Sequence, residues 1–117
     1  MPEKLIGLLA ALVLGGCAVT VDTPTELANR IRWSTASEVE NFGYDVYRGP
    51  TEDGPFVRLT TQPVAGAGTT DEEQQYLFVD DTIDEGQAYY YYVESISLSG
   101  ERERFTPVFR SKAKFRQ

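Results

Sequence analysis

The chain has 117 residues, a net charge of −7, one cysteine and no histidine. These counts exclude an intrachain disulfide, Ser-His-Asp and Cys-His catalysis, histidine zinc ligation and a histidine pH switch, because the residues are missing. The acidic balance speaks against a nucleic-acid partner, and the length suits one domain with one core.

Leu5–Leu14 is an apolar run of ten residues. It is too short to span a bilayer and suits the hydrophobic segment of a signal peptide. Leu14-Gly15-Gly16-Cys17 follows and resembles the lipobox of bacterial lipoproteins. The resemblance implies cleavage before Cys17, thioether lipidation of its sulfur and acylation of the new amine by a fatty acid such as palmitate. Several acyl chains together make a durable anchor. Ala18, standing where aspartate would retain an inner-membrane lipoprotein, implies the outer membrane of a diderm cell. An ordinary secretory peptide with an incidental cysteine, or a buried N-terminal helix, is the alternative. The chain then divides into a signal peptide (1–17), a short tether with a first strand (18–29), a folded domain (30–114) and a basic C-terminal tail (115–117).

Ala18–Asp22 starts a first strand, which Thr23-Pro24-Thr25 breaks. In Asn29–Ser34, Ile31 and Trp33 share one face, and Arg30 and Arg32 the other, the period of a half-buried strand. Thr35–Asn41 reads as a polar loop. Phe42–Arg48 alternates again, with Phe42, Tyr44 and Val46 inward and Asp45 and Tyr47 outward. Gly49–Pro55 is turn chemistry, Phe56–Thr60 a short strand, and Gln62–Gln74 a loop made flexible by Gly66 and Gly68. Gln75–Val79 is apolar on both faces. Periodicity leaves its register open, with Tyr76 and Phe78 favoured as the inward pair. Asp80–Glu85 is an acidic corner.

Gly86 and Gly100 bracket the most strand-like stretch, in which four consecutive tyrosines, Tyr89–Tyr92, precede Val93. Tyr89, Tyr91 and Val93 fall on one face, and Tyr90, Tyr92 and Glu94 on the other. A strand aromatic on both faces belongs near the centre of its sheet. Ser97–Gly100 turns the chain, and Phe105–Lys114 makes the last strand, at an edge or bulge because of Pro107. Seven short strands spaced by turn signals, with no helical period, imply an all-β fold, a seven-stranded antiparallel β-sandwich.

Trp33–Arg48 resembles the second strand, loop and third strand of a bacterial fibronectin type III domain. Trp33 matches that family's core tryptophan. Ile83-Asp84-Glu85-Gly86-Gln87-Ala88-Tyr89 is similar to its leucine, glycine and corner tyrosine, with Glu85 where proline is usual. The resemblance covers nearly all of residues 20–110. It implies an immunoglobulin-like sandwich whose third, sixth and seventh strands share one sheet, and says little about function.

No residue set argues for catalysis, and no cofactor or metal site is assigned. Asp80, Asp81, Asp84 and Glu85 are hard oxygen ligands of the kind calcium takes, but their spacing does not match the helix–loop–helix calcium loop. A solvated acidic corner is the plainer reading. Arg110, Lys112, Lys114 and Arg116 alternate along the tail. They suit either anionic headgroups or an edge strand guarded by charge. On the sheet that the resemblance implies, Tyr47, Tyr90 and Tyr92 gather on the outer face. They are candidates for protein or glycan recognition, or rings that only cover the sheet against arginine stems. The expected function is a non-enzymatic, lipid-anchored interaction module of a bacterial envelope. A carbohydrate or surface-polymer binder and an accessory subunit of an envelope enzyme on a separate chain are the alternatives.

Overall fold

The structure is a computed structural model and describes residues 27–116. The apolar run, Cys17 and the expected first strand at 18–22 lie outside the described residues. Among those residues there are eight strands and no helix: β1 (Asn29–Thr35), β2 (Glu38–Gly49), β3 (Val57–Arg58), β4 (Val64–Thr70), β5 (Gln74–Asp80), β6 (Tyr90–Ser97), β7 (Arg102–Arg104) and β8 (Phe109–Arg110). All pairings are antiparallel. β1 and β5 form one sheet in unbroken register, from Asn29 opposite Asp80 to Thr35 opposite Gln74. In the second sheet β2 and β6 are central. β3 and β4 lie in succession along the far edge of β2, and β7 and β8 along the far edge of β6.

The core lies between the sheets. Ile31 and Trp33 of β1 meet Tyr44 and Val46 of β2, Tyr91 and Val93 of β6, and Ile83 and Tyr89 from the connection before β6. Tyr76 lies stacked on Trp33, ring centres 5.5 Å apart, while Tyr44 meets the tryptophan edge-on at 5.4 Å. Tyr76 and Phe78 are the residues of β5 that pack on this core, the register the sequence favours. The Trp33 indole nitrogen is buried with no hydrogen-bond acceptor among the described residues.

Four expectations are corrected. The loop at 35–41 shrinks to Ala36 and Ser37, because Glu38 is held inside the fold and starts β2. Its carboxylate accepts hydrogen bonds from the Thr35 hydroxyl (2.8 Å), the Asn41 amide (2.7 Å), the Ala67 backbone N–H (3.0 Å) and the Tyr76 hydroxyl. Phe42 is 53% exposed rather than inward. Asn41 pairs with Ser97 and Gly43 with Ile96, so Phe42 is the extra residue of a bulge and drops out of the alternation. The stretch from 62 to 74 is not a loop throughout, since β4 pairs with β2. That approach needs Gly43, where a Cβ would run into the Val64 carbonyl. The last strand is broken into β7 and β8. Near Pro107, which offers no N–H, the Val93 N–H donates to the Thr106 hydroxyl at 2.9 Å and the Val93 carbonyl accepts from Phe105 N–H at 2.8 Å.

Candidate recognition surface

β2 and β6 bring the outward residues of the tyrosine run together. Tyr47 lies directly opposite Tyr92. Their rings are parallel within 4° and 4.8 Å apart. From β7, on the other side of β6, Arg104 places its guanidinium 4.0 Å from the Tyr92 ring centre. Phe56, just before β3, meets Tyr92 edge-on at 5.0 Å and lies where a Cβ on Gly49 would collide with it. Tyr90 stands on the same face, opposite Gly49 and Arg110, outside the stack. All three tyrosines are half-buried. Thus two of the three candidate rings are brought into contact, and both ring faces of Tyr92 are occupied.

A charged row borders the rings. Asp45 points away from the core, as alternation requires, yet is 0% exposed. The Thr60 hydroxyl donates to it at 2.6 Å, Arg102 reaches it at 2.9 Å and Arg58 at 3.7 Å. Arg102 also bonds Glu94 at 2.7 Å, and Glu94 accepts from the Tyr47 hydroxyl at 2.9 Å. Bonds to these two carboxylates hold the Arg102 guanidinium firmly charged, above its ordinary pKa. Burial, then the neighbouring Glu94, raises the Tyr47 phenol. Phe56 and Arg104 are the members of this surface that strand alternation alone misses; it places Asp45 on this face but does not show that the residue is buried. The available signal was Arg102 and Arg104 two residues apart, on one face of the strand beside the tyrosines.

The acidic corner separates into different roles. Asp80 is 2% exposed. It accepts from the Tyr91 hydroxyl (2.6 Å), Arg48 (3.0 Å) and the Thr82 hydroxyl (2.7 Å). Burial opposes the charged form, but these bonds outweigh it and hold the carboxyl below its usual value. Asp81, Asp84 and Glu85 are exposed, and Glu85 accepts from the Arg116 N–H at 2.8 Å. Among the described residues no cluster of three or more acidic, histidine or cysteine side chains is arranged to hold a metal ion. The tail is tied along the same end: Lys114 donates to Asn29 at 2.6 Å, and its carbonyl accepts from Gly86 N–H at 2.7 Å.

The concavities beside these elements are open grooves. One of about 390 Å³ lies over β1 and β5, between Arg32 and Leu77, and one of about 370 Å³ separates β1 from the tail. No family model matches the chain, and no solved structure matches it. A stretch of 73 residues, 62% of the chain, is 32% identical to part of an amylopullulanase from Thermoanaerobacter thermohydrosulfuricus. The chain spans about 4% of that protein's length.

Proposed function

We propose that the chain is a non-enzymatic interaction module of a bacterial cell envelope. Cys17 lipidation holds it at the membrane, a fibronectin type III-like sandwich forms its body, and a protein partner docks on the outer face of the β2–β6 sheet. One observation carries this reading: Tyr47, Tyr92, Phe56 and Arg104 interlock into a single half-exposed cluster. Tyrosine and arginine dominate protein–protein hot spots, and strands hold such a group rigid. Tyr47 and Arg104 occupy the two faces of Tyr92. At Tyr92 a partner therefore meets a ring edge, a hydroxyl and a guanidinium rather than the bare ring face that stacks on a sugar. Support for the family comes from the Tyr89 hydroxyl, which accepts the Asp84 N–H at 2.8 Å across the turn before β6, in the manner of a tyrosine corner. A tether from Cys17 to Asn29 keeps the domain within roughly 40 Å of the bilayer. The partner then belongs at or near the membrane.

The stretch shared with an amylopullulanase favours a second reading, a carbohydrate or surface-polymer binding module. Cross-linked capture from intact envelopes tests both. Changing Tyr47, Tyr90 and Tyr92 together to serine is expected to abolish capture of the protein partner while circular dichroism stays native. Capture of the same partner by the folded variant sinks the proposal and leaves the rings as cover for the sheet. Arg104→Ala serves if the triple change unfolds the domain. Retardation of the wild-type chain, but not the variant, in gels holding starch-type polysaccharide favours the second reading. Cys17→Ser is expected to abolish fatty-acid labelling, and unchanged labelling refutes the anchor.

A further inference from the structure

Exposed strand edges invite pairing, and proteins guard them with charge, proline, bulges or brevity. Most edges here are guarded. β3 and β8 have two residues each, and β7 is Arg-Glu-Arg. β4 meets β2 through register shifts, with Gly68 at a φ of 72°. β1 carries Arg30 and Arg32 on its outer face. β5 differs. It runs for seven residues without a bulge, and no strand among the described residues pairs with its other edge. Its sequence, Gln-Gln-Tyr-Leu-Phe-Val-Asp, has no lysine, arginine, glycine or proline. Leu77 and Val79 are 48% and 37% exposed on the outer face. Tyr76 and Phe78 face the core, yet remain only half-buried.

We propose that this edge joins two copies of the chain, β5 against β5, antiparallel about a two-fold axis at Leu77. The strand is complementary to itself in that register. Leu77 meets its own counterpart, Tyr76 meets the counterpart of Phe78, Gln75 that of Val79, and Gln74 that of Asp80. Within the seven residues no like charges face each other: the one carboxylate, Asp80, comes opposite an amide and is already held by Tyr91, Arg48 and Thr82. Glu73 and Asp81 face each other one step beyond each end and confine the pairing to β5 itself. The facing leucines bury the exposed apolar stripe. The Tyr76–Phe78 pairs cover the open flank of the core, and the two small sheets become one of four strands, β1-β5-β5-β1. A foreign strand would need to reproduce this apolar, uncharged alternation. A single strand pair buries less than a standard interface, so the dimer is weak and reversible.

Sedimentation equilibrium of the full chain in mild detergent is expected to show a concentration-dependent monomer–dimer equilibrium. Leu77→Lys sets two cations face to face at the axis, and is expected to weaken association by roughly tenfold or more. Leu77 is exposed, so circular dichroism of that variant is expected to stay native. Register is read by oxidative cross-linking, with the wild-type chain as control for Cys17 and the linked peptides mapped by mass spectrometry. Leu77→Cys is expected to link to itself, because facing residues have Cα atoms about 4.5–5.5 Å apart. Val79→Cys is expected to link only when mixed with Gln75→Cys, since its own copies lie roughly 13 Å apart along the strands. A chain monomeric at every concentration overturns the proposal, whatever covers the edge. So does a dimer indifferent to Leu77→Lys, or linkage of Val79→Cys to itself in place of Leu77→Cys.

Discussion

Glu38→Gln isolates one charge while keeping the side chain's size and much of its hydrogen bonding. Glu38 is 6% exposed and ties four pieces of chain together: the end of β1 through Thr35, its own strand through Asn41, β4 through Ala67 and β5 through Tyr76. Burial by itself would raise its pKa. The bonds from Tyr76, Ala67, Thr35 and Asn41 win and hold it down at about 2 instead of 4.5. A folded-state value below the unfolded one means that the stabilisation is fully present above pH 4.5 and is lost as the pH falls towards 2. At about 1.4 kcal/mol per tenfold, the drop corresponds to about 3 kcal/mol. Glutamine resembles the protonated acid, so the wild-type chain is expected to exceed Glu38→Gln by that amount at pH 7. In a domain of this size that is a Tm difference of roughly 12–24 °C. The gap is expected to close as pH approaches 2. Urea melts of both proteins across pH 2–7 measure it, and the difference cancels the titration of Asp80 and other shared groups. A gap under about 0.5 kcal/mol at pH 7, the range of an ordinary surface change, refutes the reasoning, as does a gap that ignores pH.

Trp33→Ala removes the ring on which Tyr76 stacks and is expected to cost about 3–5 kcal/mol in denaturant melts, and a loss below about 1 kcal/mol would take Trp33 out of the core. Gly43→Ala drives a methyl group into the Val64 carbonyl. It is expected to cost about 1–3 kcal/mol and to deprotect the β4 amides in hydrogen exchange before those of β6, and unchanged β4 protection would refute the close pairing.

The all-β class was legible because period two is local. Ile31 and Trp33, Tyr44 and Val46, and Tyr89, Tyr91 and Val93 lie on the core side as their alternation predicts. The tyrosine run was legible as a central strand for the same reason, and the pairing of Tyr47 with Tyr92 followed from alternation once β2 and β6 were neighbours. What alternation does not encode is an extra residue or a distant partner. The bulge at Phe42 depends on how β2 meets β6. β4 reads as a loop because Gly66 and Gly68 have weak strand propensity, and it is a strand only because Gly43 lets β2 come close and Glu38 accepts its Ala67 N–H. Asp80 reads as one of four surface acids, and only the fold brings Tyr91 and Arg48 to it. Arg104 joins the tyrosine cluster from β7, which pairs with β6, and Phe56 joins it from the segment before β3, which pairs with β2 and lies over Gly49, so segments far apart in the chain meet at one ring. Short-range periodicity thus decides which side a residue faces. Which residues it meets there is decided by strand order and register, set by contacts between segments distant in sequence.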